Sequence, residues 1–149
     1  MKFAFVISKF NHSVTEGLVE GAKSYLKEKG LTPHADDFYY VPGAFEIPLI
    51  AQSLAKLEKY DGIICLGCVI QGDTAHFEFI SLGATLGIMQ GMLTTETPIS
   101  FGVLTVYTDE QAQVRCQANS NNKGREAAVA CYEAALTLDQ IARLARGPS

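Results

Sequence analysis

The sequence predicts a three-layer α/β/α sandwich built on a four-stranded parallel sheet. Three observations carry that prediction. Short apolar runs alternate with segments of helical period four times along the chain, an order that gives parallel strands joined by right-handed crossovers. Each run is apolar throughout, as expected when helices cover both faces of a sheet. The chain has 149 residues, 48% hydrophobic and 19% charged, which suits one domain (1–149) able to bury a core without disulfides or metal. The same numbers exclude disorder, which requires low hydrophobicity and high net charge. The length also excludes a two-domain cofactor enzyme.

The first strand is Phe3 to Ser8. Helix one begins near Ser13, whose S-x-x-E spacing to Glu16 predicts a capping box. Val14, Leu18, Ala22 and Leu26 then repeat at helical spacing, and Gly30 supplies a C-terminal stop. Strand two is Phe38 to Val41, broken by Pro42-Gly43. Helix two runs from Pro48, favourable in a first turn, to Lys59. Strand three spans Gly62 to Val69 and helix three His76 to Leu93. Strand four spans Ile99 to Val106, followed by a short helix from Asp109 to Cys116 and a long one from Gly124 to Ala145. Asn122 is placed to cap that last helix. This order is of the flavodoxin-like type, in which ligands bind at the carboxyl ends of the strands.

Charge and cysteine usage narrow the function classes. A net charge of −4 argues against a sequence-independent nucleic-acid binder, which needs a basic surface. The most apolar stretch, Phe79 to Leu93, is 15 residues, short of the roughly 20 a membrane span needs. Residues 1–8 are too short for a signal peptide and read as a buried strand. Cys65 and Cys68 form a C-x-x-C, but inside a strand residues three apart face opposite ways, so they neither bridge nor share a metal. Buried core thiols in a reducing cytoplasm are expected.

Helix three carries Gly83, Gly87 and Gly91 at spacing four. Each glycine costs a helix about 1 kcal/mol relative to alanine, so a stripe of them implies close approach by another backbone. Packing within the chain and a subunit interface around a symmetry axis are equally good readings.

The loops at the strand ends hold the chemistry. After strand one, Phe10 is placed either to stack on a planar ring or to staple helix one. After strand two, Val41-Pro42-Gly43-Ala44-Phe45-Glu46-Ile47-Pro48 fixes an unusual backbone whose free N–H and C=O groups, with Glu46, suit the polar edge of a heterocycle. Glu46 is equally well placed on a helix dipole. After strand three, Gly72-Asp73-Thr74 precedes a helix whose N-terminus can bind an anion, and Asp73 can turn away to cap it. No P-loop or G-x-G-x-x-G is present, which disfavours nucleoside triphosphates and dinucleotides. His76 falls in the first helical turn beside that anion site, where an imidazole can take up and return a proton. No Lys or Arg occurs between Tyr60 and Val114. Arg115, which matches phosphate bidentately, and Lys123 are therefore the nearest later cations for an anionic substrate, with Lys9 from the first loop.

The segments Lys9-Phe10-Asn11, G-A-F-E-I-P (43–48), G-C-V-I-Q-G-D-T-A-H-F (67–77) and Asn122-Lys123-Gly124 together resemble the 6,7-dimethyl-8-ribityllumazine synthase family, in order and over nearly the whole chain. The resemblance implies condensation of 5-amino-6-(D-ribitylamino)uracil with 3,4-dihydroxy-2-butanone 4-phosphate, with loss of phosphate and water and with no cofactor or metal. It implies that Phe10, with Asn11, receives the pyrimidine, and that Ala44, Phe45, Glu46, Cys68, Val69 and Ile70 hold the ring edge and ribityl chain. Gly72, Asp73 and Thr74 would meet the phosphate through backbone N–H groups, with Arg115 as its cation and Lys123 close by. His76 would shuttle protons, and Phe101 would close the site from a neighbouring subunit of a homopentamer or an assembly of pentamers. Gln71 stands where the family often has Arg or Lys. The sequence also starts directly at strand one, which keeps the pentamer expected and a 60-subunit shell less so. The rivals are a riboflavin synthase of the same fold, a non-catalytic flavin- or lumazine-binding oligomer, and a phosphoacceptor module. The last would need an aspartate where this chain has Cys68.

Overall fold

The computed structural model describes residues 1–148. It contains strands β1 (Phe3–Ser8), β2 (Phe38–Val41), β3 (Gly62–Ile70) and β4 (Ile99–Val106). Helices α1 (His12–Glu28), α2 (Ile47–Ala55), α3 (His76–Thr95), α4 (Asp109–Arg115) and α5 (Lys123–Arg146) complete it. The sheet is parallel in the order β2-β1-β3-β4. The chain therefore steps one way from β1 to β2 and the other way to β3, which opens a crevice at the carboxyl ends of β1 and β3.

Alternate residues of each strand feed two separate cores. Phe3, Phe5, Ile7, Ile64, Leu66 and Leu104 pack under α1 and α5, while Ala4, Val6, Ile63, Cys65 and Val103 pack under α2 and α3. This is the expected three-layer sandwich, and it explains why the strands are apolar at most positions. Cys65 and Cys68 lie in opposite cores, as their strand spacing requires. All four thiols are free and buried. Burial pushes the Cys68 and Cys131 thiols up to about 12, so they are packing groups at neutral pH.

Several boundaries differ from the sequence expectation. Helix α1 starts at His12, behind Asn11 in the left-handed region at φ 59°. Asparagine tolerates that conformation. Ser13 is thereby drawn inside the first turn and the capping box with Glu16 does not form. Glu16 instead lies 3.2 Å from His12 Nε2. Helix α2 ends at Ala55 and not Lys59, because Glu58 turns left-handed at φ 55°. Strand β3 runs one residue longer and α3 two residues longer than read. Two short 3₁₀ turns, Ala35–Asp37 and Ala44–Glu46, add to the elements the sequence predicts. Gly30 does stop α1 (φ 76°), and the Asn122 side chain does cap α5, accepting from the Arg125 N–H at 2.9 Å.

The glycine stripe of α3 faces α2 and the turn before it in the same chain. A Cβ built on Gly87 would sit 2.7 Å from Pro48, and one on Gly91 3.4 Å from Gln52. The reading of that stripe as a subunit interface is therefore not needed. A different face of α3 carries Phe79, Leu82, Leu86, Met89 and Leu93, all exposed.

Candidate active site

A cavity of about 420 Å³ occupies the crevice at the carboxyl ends of β1, β2 and β3. Phe10 and Asn11 enter it from the β1 loop. Ala44, Phe45 and Glu46 enter from the 3₁₀ turn before α2, and Cys68, Val69 and Ile70 from the end of β3. Gly72, Thr74 and His76 complete it from the loop that leads into α3. Four stretches of sequence, spanning positions 10 to 80, thus meet in one place.

Backbone bonding builds this convergence. Lys9 N–H donates to Val41 O at 2.8 Å and Phe10 N–H to Pro42 O at 3.3 Å, which ties the β1 loop to the β2 loop. The Asn11 side-chain amide donates to Cys68 O at 2.9 Å, which ties it to β3. Asn11 is thus a bracket between two strand ends, and its left-handed backbone turns the chain straight into α1. The Phe10 ring projects from this bracket with 73% of its surface exposed. Glu46 accepts from the Gly43 N–H at 3.0 Å, closing the 3₁₀ turn that presents Phe45. Glu46 thus closes its own turn and also borders the cavity.

The loop from Gln71 to His76 is exposed. Gln71 N–H donates to Val106 O at 2.9 Å, so this loop leaves the sheet beside the end of β4. His76 is the first residue of α3, and its N–H donates to Thr74 Oγ1 at 3.3 Å. Asp73 does not cap the helix as foreseen: Ala75 holds the N-cap position and Thr74 makes the side-chain bond. Asp73 also does not line the cavity. Gly43, Phe77 and Ile80 do line it, although the sequence reading gave them no site role. The signal for Ile80 was its position one helical turn beyond His76, on the same face. Phe77 also lies 5.9 Å, centroid to centroid, from Tyr107, bracing the start of α3 against the end of β4.

Phe101, Arg115 and Lys123 lie elsewhere. They border a second cavity of about 680 Å³, along β4 between α3 and α5. The two cavities have no lining residue in common. β4 is an edge strand, paired with β3 alone among the described residues. Phe101 is 43% exposed there. Arg115 Nη1 donates to Gln111 O at 2.9 Å, and Lys123 Nζ lies 2.9 Å from a Glu126 carboxylate oxygen. One chain therefore displays an aromatic pocket with an imidazole at its rim and, separately, a groove with two cations and an exposed ring. Among the described residues, no three His, Cys, Asp or Glu side chains converge as metal ligands. No helix among them is long and apolar enough to cross a membrane.

Comparison with known proteins agrees over the length of the fold. The family model described as 6,7-dimethyl-8-ribityllumazine synthase matches residues 1–139. The chain is similar to 6,7-dimethyl-8-ribityllumazine synthase 1 of Caulobacter vibrioides, 56% identical over 140 residues, which cover 94% of this chain and 92% of that protein. It is similar to the 6,7-dimethyl-8-ribityllumazine synthase of Deinococcus radiodurans, 45% identical over 144 residues, covering 96% and 92% of the two chains. The enzyme of the same name from Leuconostoc mesenteroides is 46% identical over 140 residues, covering 94% and 90%.

Proposed function

The chain belongs to the 6,7-dimethyl-8-ribityllumazine synthase family, and from that premise we propose how its two cavities divide the reaction. The enzyme condenses 5-amino-6-(D-ribitylamino)uracil with 3,4-dihydroxy-2-butanone 4-phosphate, giving 6,7-dimethyl-8-ribityllumazine, phosphate and water in riboflavin biosynthesis. The pyrimidine stacks on Phe10 in the 420 Å³ cavity. Its polar edge and ribityl chain meet the backbone of Ala44, Cys68, Val69 and Ile70, with the Phe45 ring and Glu46 beside them. The phosphate lies over the turn of Gly72, Asp73 and Thr74, where free N–H groups at the start of α3 face it.

That turn has no cation within its own stretch of chain. Arg115 and Lys123 serve the phosphate from a neighbouring subunit, with Phe101 of the same neighbour closing the pocket. The observation that carries this division is the separation of the two cavities on one chain. The exposed stripe of α3 supports a homo-oligomer. Phe79, Leu82, Leu86, Met89 and Leu93 are spaced 3, 4, 3, 4, the a/d pattern of helices that pack against one another. A homopentamer, or an assembly of pentamers, joins the two half-sites around a ring. Four free thiols and the absence of a membrane-length helix among the described residues are in keeping with a cytoplasmic enzyme.

The chemistry needs a proton at several points. The 5-amino group attacks the ketone, and the carbinol oxygen must be protonated to leave as water and give an imine. A carbon-bound proton next to the imine leaves as phosphate is expelled. The enol so formed takes up a proton at its terminal carbon to become a methyl ketone. The ribitylamino nitrogen attacks that carbonyl, and its oxygen, once protonated, leaves as a second water as the ring closes. His76, at the junction of pocket and phosphate turn, carries these protons. Positioning of the two reactants supplies the larger share of the rate, since holding them together is worth up to roughly 7–11 kcal/mol.

The direct test mixes purified protein with both substrates and follows lumazine absorbance and phosphate release together, with light scattering for mass. Product above the uncatalysed background, from a particle whose mass is a multiple of five chains, is expected. A monomer with full activity would end the shared-site reading. Arg115→Ala should raise KM for the phosphate substrate about 10- to 100-fold, the worth of a charge-assisted hydrogen bond, with KM for the pyrimidine within about twofold. Steady-state kinetics with each substrate varied in turn checks this. An unchanged KM for the phosphate substrate removes Arg115 from the site.

A further inference from the structure

We propose that Gly83 is a positioning residue for the pyrimidine pocket, because its missing side chain is the seat on which the Phe45 ring rests. The inference builds on the reading above that Phe45 borders bound pyrimidine. A Cβ placed on Gly83 would lie 2.8 Å from Phe45 Cε1 and 3.2 Å from Cδ1. No real Cβ tolerates such a contact, so something must yield. The backbone of Phe45 is not free to do so. It sits in the 3₁₀ turn closed by the Glu46 bond to Gly43 N–H at 3.0 Å, between Ala44 (6% exposed) and fully buried Ile47. The ring, 58% exposed, is the part that can move.

The three glycines of the α3 stripe therefore differ in what they hold. Gly87 notches the rigid ring of Pro48 and Gly91 the stem of Gln52. These fix the distance between α2 and α3. Only Gly83 abuts a residue that lines the cavity. His76, Ile80 and Gly83 fall at i, i+4 and i+7 on α3, one face of a helix. The imidazole, a pocket wall and the aromatic seat are thus set by one stripe of one helix. A methyl at Gly83 would push the ring off that stripe without disturbing the helix that carries His76.

The test uses Gly83→Ala, Phe45→Leu and the double variant in the full-length enzyme, with substrate kinetics and thermal midpoints. Alanine suits a helix interior better than glycine, so Gly83→Ala should melt no lower than wild type. It should raise KM for the pyrimidine substrate roughly tenfold, with kcat within about twofold, as for loss of a contact made equally in ground and transition states. Phe45→Leu should raise the same KM. Adding Gly83→Ala to it should change nothing more, because the shorter side chain leaves room for the methyl. A wild-type KM for Gly83→Ala, a lowered midpoint, or full additivity in the double variant overturns the proposal. If Phe45→Leu alone leaves KM unchanged, the pocket role of Phe45 fails first and the seat has nothing to position. If Phe45→Leu weakens binding and Gly83→Ala does not, the pocket stands and the seat alone is refuted.

Discussion

Replacing His76 with alanine is expected to slow turnover by about 10²-fold, the lower end of what general acid–base catalysis typically contributes, while leaving product formation measurable. His76 sits at the first position of α3 and lines the cavity beside Thr74. The variant keeps every backbone contact that holds the two strand-end loops together, since none of the bonds from Lys9, Phe10 or Asn11 involves His76. Both substrates should therefore bind with KM values within a few-fold of wild type, and the loss should fall on kcat. Single-turnover absorbance measurements with both substrates saturating would isolate that step. Unchanged kcat would take His76 out of the chemistry. Complete loss with intact binding would show that proton transfer, not positioning, dominates the rate.

The largest effect on stability is expected from Gly124→Ala. Gly124 is the second residue of α5, and a Cβ there would collide with the Leu18 backbone, the carbonyl oxygen above all. Neither partner is the end of a flexible side chain. Relief requires α1 and α5 to move apart, and those two helices cover one whole face of the sheet. Such a move would also strain Asn122, fully buried, whose amide donates to Gly17 O at 3.0 Å and to Gln117 O at 2.9 Å. Overpacking of this kind costs about 3 kcal/mol at the upper end of the usual range. For a chain of this size that lowers the thermal midpoint by roughly 6–12 °C. Differential scanning calorimetry would check it. A midpoint within about two degrees of wild type would mean that the α1–α5 seam is looser than its geometry implies.

The strands were readable because cover on both faces of the sheet writes itself into the sequence as a nearly continuous apolar run. Phe3 to Ser8 and Ile99 to Val106 emerge with the boundaries their composition gives. The start of α1 was not readable in the same way. It is set by the Asn11 amide reaching Cys68 O, 57 positions distant, and the local S-x-x-E signal loses to that long-range bond. The end of α2 depends on Glu58 adopting a left-handed backbone, with no glycine or proline to announce it. The α3 glycines revealed that something approaches closely but not what; the turn at Phe45 and the side of α2 that carries Pro48 and Gln52 proved to be the answer. Most of the cavity was legible because its residues cluster at strand ends, the place where this class of sheet binds ligands. The placement of Arg115 and Lys123 was not, since a sequence displays cations without saying which flank of the sheet they occupy.

On the proposed assembly, each chain lends its imidazole to one site and its guanidinium to the next. A lesion in either group is then inherited by a different site of the ring. Two damaged alleles, one lacking His76 and one lacking Arg115, would rescue each other when their products mix. With random mixing, about one site in four would receive both groups intact, by the closed head-to-tail arrangement of such a ring. The separation of two cavities on a small α/β chain thus becomes a matter of heredity: neither allele makes vitamin precursor efficiently, and the pair does.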